Sequence, residues 1–260
     1  MLRVKNIAFS YPKRDPTLKG VSFEADGGHC LALMGGNGAG KSTLLNCLNG
    51  IIKPSAGEIY IDGMRVDKLS RSEMAKQMSY AEQHSEVTQL TVYDTVLLGR
   101  KPYIQMSPTQ KDYDIVKNSL ERLGLERFAL RYLSELSGGE FQKVVIARAL
   151  AQQTKIMLLD EPTSNLDIYN QHEVMEIVSE IARTDNILAV VVIHDLNLAL
   201  RYCDRFLFLK DGFISCMGDS TVVTPELLRE IYNVDADVAD ICGKRTVVIN
   251  SIDKKDQTYE

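Results

Sequence analysis

LALMGGNGAGKSTLLNCLNG, residues Leu31 to Gly50, is the stretch that sets the fold. Its apolar start (Leu31, Ala32, Leu33, Met34) has the composition of a buried strand, and Leu44, Leu45 and Leu48 have the spacing of a buried helix face. Between them, Gly35 to Ser42 fits the pattern G-x-x-x-x-G-K-[ST]. Glycines let consecutive backbone N–H groups curl round an anion, and the following helix N-terminus adds its partial positive charge. Lys41 is placed to reach the β- and γ-phosphates, and the Ser42 hydroxyl to hold Mg²⁺. The strand–loop–helix context therefore predicts a nucleoside triphosphate site on an α/β core.

Working outward, the N-terminal side predicts strands over Leu2–Tyr11 and Leu18–Ala25. Beyond the loop helix, Glu58–Met64 predicts a hairpin turning at Asp62-Gly63, and Ser70-Arg71-Ser72-Glu73 a capping box opening a short helix. These segments predict an antiparallel β layer attached to the nucleotide core. From about His84 to Ala151 the periodicity is helical. Ser107-Pro108-Thr109-Gln110 predicts an N-cap at Ser107 with Pro108 at the first helical position. Tyr113, Val116, Leu120 and Leu123 then form the buried stripe of that helix, which ends near Gly124.

Two further strands end in chemistry. Lys155 to Pro162 is an apolar run finishing in Asp160 and Glu161, so a buried parallel strand presents both carboxylates at a ligand crevice. Asp160 is predicted to serve Mg²⁺ and Glu161 to polarise the attacking water. Ile187–Ile193 is a second such strand, and His194 at its end is predicted to sense the γ-phosphate. Ser137 and Glu140 in Leu136–Glu140 read as a capping box with two small residues beside it, another exposed helix N-terminus. Arg205–Met217 predicts a hairpin at Asp211-Gly212, Thr224-Pro225-Glu226 a helix start, and Lys244–Ile252 a strand.

Composition narrows the partners. A net charge of −5 with no extended basic run gives no case for nucleic-acid binding. Five cysteines without C-x-x-C, and four histidines without metal-ligand pairing, point to reduced thiols rather than a disulfide frame or zinc site. No apolar run reaches the ~20 residues of a membrane span, and the N-terminus lacks a signal peptide's apolar core. Any membrane role is expected to be peripheral.

Together these motifs resemble the ATP-binding-cassette (ABC) ATPases over almost the whole chain. GGNGAGKST (Gly35, Gly36, Asn37, Gly38, Ala39, Gly40, Lys41, Ser42, Thr43) resembles the Walker A loop, and LSGGE the ABC signature. LLDEPTSNLD (Leu158–Asp167) resembles Walker B plus the D-loop, and VIHDLN (Val192–Asn197) the switch-histidine segment. The resemblance implies that Tyr11 stacks on adenine and that Gln83 contacts Mg²⁺ or water and links to a membrane subunit. Ser137, Gly138 and Gly139 would meet the γ-phosphate of ATP held by a second copy, and Asp167 would cross that interface. Asp160 would serve Mg²⁺ and Glu161 would be the base. Lys41 and His194 would hold the γ-phosphate. Gly36 stands where Pro is common, Ala81-Glu82 alters the approach to Gln83, and Phe141 replaces a frequent basic residue.

The implied architecture is a P-loop α/β core with an antiparallel β subdomain and a helical subdomain near 84–151, all within residues 1–240. Residues 241–260 would be a small C-terminal extension. TVYDTVLLGRKPY (Thr91–Tyr103), HDLNLALRYCDR (His194–Arg205) and VVTPELLREIYNVDADV (Val222–Val238) are similar to ATPase subunits of iron-siderophore, haem and vitamin B12 importers. That similarity implies a homodimer on the cytoplasmic membrane face, separate permease subunits and, indirectly, a substrate-binding protein. A soluble ABC ATPase, such as an iron–sulfur assembly partner, is the alternative.

Overall fold

The computed structural model describes residues 1–12, 15–82 and 89–252. Strands β1 (Leu2–Ser10), β2 (Pro16–Ala25), β4 (Ala56–Ile61) and β5 (Met64–Arg65) form an antiparallel sheet in the order β2-β1-β4-β5. A second sheet has the order β10-β9-β3-β8-β7-β6, from β3 (Cys30–Gly35), β6 (Met78–Ala81), β7 (Ile156–Asp160), β8 (Leu188–Val192), β9 (Arg205–Lys210) and β10 (Phe213–Gly218). It is parallel except for β10, which pairs antiparallel with β9.

Every residue of β3, β7 and β8 is buried, because layers cover both faces. Alternation along each strand assigns the layers. Leu31, Leu33, Leu158, Val190 and Leu207 pack towards the antiparallel sheet and helix α1 (Lys41–Leu48). Ala32, Met34, Leu159, Val191 and Phe208 pack towards the opposite, helical side. An eight-residue helix is too short to persist alone. Helix α1 is held by Leu44, Leu45 and Leu48, each wholly buried, worth roughly 1.5–3 kcal/mol apiece in transfer energy.

Both expected hairpins form, with φ of 49° and 80° at Asp62-Gly63 and 50° and 84° at Asp211-Gly212. Positive φ at both central residues suits the twist of the paired strands. Helix α2 (Arg71–Gln77) opens on the expected Ser70–Glu73 capping box.

The helical region contains α3 (Val92–Leu97), α4 (Gln110–Arg122) and α5 (Gly138–Ala151). The α4 cap differs from the sequence expectation. Thr109, not Ser107, is the N-cap, and Asp112 closes its capping box. Pro108 precedes the helix rather than starting it. Val116, Leu120 and Leu123 are buried as expected, but Tyr113 in the first turn is 38% exposed. Helix α5 packs on α3, α4, α6 (Ile168–Thr184) and β6.

Helix α7 (Leu196–Tyr202) follows β8, and α8 (Pro225–Tyr232) opens on Thr224 with Pro225 in the first turn. The tail is a two-stranded hairpin, β11 (Val234–Ile241) with β12 (Lys244–Ile252), so residue 241 ends a strand that begins seven residues earlier. Asn197 ties this hairpin to α7: its amide donates to the Val247 carbonyl (3.1 Å) and accepts from the Val247 N–H (2.8 Å).

Candidate active site

Strands β3, β8, β7 and β6 are consecutive and parallel. Their carboxyl ends therefore bring the Gly35–Ser42 loop, His194, the Asp160–Glu161 pair and Tyr80 to one crevice. The loop's backbone explains two of its glycines. Gly35 has φ +145°, and a Cβ there would stand 2.3 Å from the Leu209 carbonyl oxygen. Gly40 has φ +103° and caps α1 without any side-chain hydrogen bond. The first turn of α1 carries no acidic residue. Its orphan N–H groups and positive dipole end are thus left for an anion supplied from outside the chain.

Lys41 is folded over the loop, its Nζ donating to the carbonyls of Gly35 (2.8 Å) and Gly36 (2.9 Å). Only 7% of this residue is exposed. Burial pulls its ammonium below the usual lysine range, against the opposing pull of the Glu161 and Asp160 charges.

Asp160, also buried, accepts from the Ser42 hydroxyl on Oδ1 (3.3 Å) and from the Tyr80 hydroxyl on Oδ2 (3.4 Å). Desolvation raises its carboxyl above the ordinary aspartate value. The Ser42 bond opposes that rise, and neighbouring Glu161 adds to it. A buried carboxylate beside a hydroxyl is an all-oxygen donor set that suits a hard cation such as Mg²⁺. Gln83, expected to join them, lies outside the described residues.

Glu161 sits in the left-handed region at φ +51°. Its Oε1 is 2.7 Å from His194 Nε2. The imidazole tautomer sets the donor of this contact, and an ionised carboxylate would accept from Nε2–H. Tyr11 stands at the first turn of α1, its hydroxyl 3.3 Å from Thr43 Oγ1.

Ser137, Gly138 and Gly139 lie apart from this cluster. Ser137 caps α5 through the expected box, with its N–H and Oγ each 2.8 Å from Glu140 Oε2. That bonding holds the Glu140 carboxyl below its usual range. Among the described residues no hydrogen bond joins 137–139 to the 35–43 loop. Asp167 is exposed and caps α6.

Three contacts escaped the sequence reading. Tyr80 on Asp160 is one. The second is Tyr232 at the end of α8, whose hydroxyl accepts from the buried Gly35 N–H (3.2 Å) and whose burial pushes its phenol up to about 12. Gln171 is the third, donating to the carbonyls of Thr163 (3.4 Å) and Leu166 (3.1 Å) and so bracing the loop before α6. No periodicity links Tyr80 to residue 160 or Tyr232 to residue 35, and Gln171 reaches back over an irregular turn that has no period to read. Only the tyrosines' place at a strand end and a helix end hinted at a role.

The chain is similar to known proteins. The pattern of the "ABC transporter" family matches residues 18–164. An uncharacterised ABC transporter ATP-binding protein of Methanocaldococcus jannaschii is 48% identical over 248 residues, 95% of this chain and 97% of that one. A cobalamin import ATP-binding protein of Halobacterium salinarum is 40% identical over 214 residues, 82% of this chain and 53% of that one. A petrobactin import ATP-binding protein of Bacillus subtilis is 35% identical over 247 residues, 94% and 98%. Among solved structures, a transporter provisionally assigned to the metal-chelate ABC type, in an inward-facing conformation, superposes with a TM-score of 0.83 at 30% identity, covering 96% of both chains. A dimeric ATP-binding cassette bound to ADP and Pi gives 0.73 at 31%, covering 84% of this chain and 98% of that one.

Proposed function

We propose, since the chain belongs to the ABC transporter family as an ATP-hydrolysing, ATP-binding subunit, that it powers uptake of an iron chelate or vitamin B12 through a separate permease. The observation that carries the importer reading is coverage. The petrobactin relative covers 94% of this chain and the metal-chelate-type structure 96%, so both matches run past the last cassette motif at Val192–Asn197 into the region of α8. No helix among the described residues is long and apolar enough to cross a membrane, which fits a subunit docked on the cytoplasmic face of a permease supplied by other chains. A substrate-binding protein would deliver the cargo to that permease.

Two copies would close around two ATP molecules, each site built from one protomer's 35–43 loop, Asp160, Glu161 and His194 and its partner's Ser137–Gly139. In this reading Lys41 exchanges its loop carbonyls for phosphate oxygens. Ser42 and Asp160 would hold Mg²⁺, which would supply charge neutralisation for the triphosphate. Glu161 accepts the proton of the attacking water, and His194, hydrogen-bonded to it, fixes its orientation and contacts the γ-phosphate. Tyr11 supplies the stacking face for adenine.

Co-purification tests this function. A tagged Glu161→Gln chain, incubated with Mg-ATP and recovered from membranes, should bring down a many-helix permease identifiable by mass spectrometry. Recovery of soluble assembly proteins alone would replace the importer reading with that of a soluble ABC ATPase.

A further inference from the structure

The two glycines of Leu136–Glu140 are not equivalent. Gly138 is exposed, and a Cβ placed on it would meet Leu166 Cδ2 at 3.8 Å, an ordinary van der Waals contact. Gly139 is buried. A Cβ there would stand 2.2 Å from Asn170 Oδ1, 2.4 Å from Asn170 Cγ and 2.9 Å from Asn170 Nδ2. The whole carboxamide of Asn170 thus fills the space a side chain at 139 would need.

That carboxamide is not free to swing away. Asp167 Oδ1 accepts from both the backbone N–H of Asn170 (2.8 Å) and its Nδ2 (2.9 Å). One carboxylate oxygen holding two donors of one residue fixes the side-chain rotamer as well as the helix cap. One turn further along, Lys143 of α5 pairs with Glu173 of α6 at 2.8 Å, a second link between the two helices.

We infer that Asn170 is a positioning residue: it couples Asp167 to the first turn of α5, and residue 139 is glycine because Asn170 occupies its side-chain space. The inference rests on the ATP-sandwich reading above, in which Asp167 and Ser137–Gly139 both face the partner protomer. Displacement of Asp167 by the partner is then transmitted through one carboxamide to the turn that meets the partner's nucleotide.

A space-restoring cycle in the full chain tests it. Helix propensity alone makes alanine at 138 or 139 neutral or stabilising. Without nucleotide, Gly139→Ala should instead lower the unfolding temperature by about 3 °C or more, whereas Gly138→Ala should leave it within about 1 °C. Asn170→Ala opens the space, so the double variant should unfold no lower than Asn170→Ala alone. In a Glu161→Gln parent, sedimentation should show Asn170→Ala weakening the ATP-dependent dimer about fivefold or more, an effect on assembly that lost packing alone would not produce.

An undiminished Gly139→Ala penalty in the Asn170→Ala background would overturn the contact. Relief of that penalty with unchanged dimer strength would overturn the positioning role. If the Glu161→Gln parent formed no ATP-dependent dimer, the sandwich reading and the coupling to a partner would fall together, and the unfolding temperatures would still decide the contact.

Discussion

Glu161 Oε1 and His194 Nε2 meet at 2.7 Å although they end different strands of the parallel sheet, β7 and β8. Strand adjacency alone creates this pair, since Asp160 of β7 is in register with Val192 of β8. Removing either member disables the same unit. Glu161→Gln and His194→Ala should each lower the rate of phosphate release by on the order of 10²-fold or more, with nucleotide binding retained. The double variant should be little slower than the worse single one, because residues acting together are strongly non-additive. Single-turnover hydrolysis measures this, and multiplying losses would mean that the two act independently.

Glu161 also carries a backbone cost that its chemistry has to justify. At φ +51° a residue with a Cβ is disfavoured by roughly 1–2 kcal/mol. Among variants lacking the carboxylate, Glu161→Gly should be more stable than Glu161→Ala by about 1 kcal/mol, the reverse of the ordinary order of those residues. Urea unfolding of the two proteins checks it. Equal midpoints would mean that the turn relaxes when the side chain is lost.

The parts of this site readable in the sequence share one property: each is local. The glycine loop, the acid pair after an apolar run and the Ser137–Glu140 box are all patterns within a few residues of one another. The α4 cap shows where locality fails. Ser107 and Thr109 are both good caps, and Pro108 favours the first. Tertiary structure selects the second, because Asp112 accepts from the Thr109 N–H and hydroxyl on Oδ2 while its Oδ1 takes the guanidinium of buried Arg100. Tyr80 on Asp160, Tyr232 on Gly35 and Asn170 against Gly139 are further contacts of this kind, set by strand order and helix packing rather than by spacing.

Tyr80 yields the next expectation. Its hydroxyl donates to Asp160 Oδ2 while Ser42 donates to Oδ1, so each carboxylate oxygen has a donor that aims it. Tyr80→Phe keeps the ring and removes one donor. A hydrogen bond to a charged group contributes about 1.5–3 kcal/mol at best, and at 3.4 Å this one belongs at or below the lower end. Mg²⁺ affinity in the presence of ATP should therefore fall about threefold to tenfold, with ATP affinity in the absence of Mg²⁺ unchanged. Titration calorimetry with and without Mg²⁺ separates the two, and an equal loss in both would reassign Tyr80 to the nucleotide itself.

The Arg100–Asp112 pair links stability to acidity. Both residues are buried, 2.9 Å apart, and Arg100 also donates to the Ala151 carbonyl (2.8 Å), joining α5's end to α4's start. Bonds from the Thr109 backbone and hydroxyl, then from Arg100, hold the Asp112 carboxyl down to about 2 from an ordinary 3.8. A carboxyl lowered in the folded state contributes stability that is complete above its unfolded value and lost as pH falls through its folded one. The window is thus from about pH 4 to pH 2, and the contribution is at most about 2.5 kcal/mol. Asp112→Asn leaves the Arg100 guanidinium buried without its counter-charge, which should cost about 3–5 kcal/mol at neutral pH. Its acid limb should also be shallower than the parent's by the Asp112 share. Urea unfolding of both proteins at pH 7, 5, 4 and 3 measures the two effects together, and parallel acid limbs would show that other carboxylates carry the acid sensitivity.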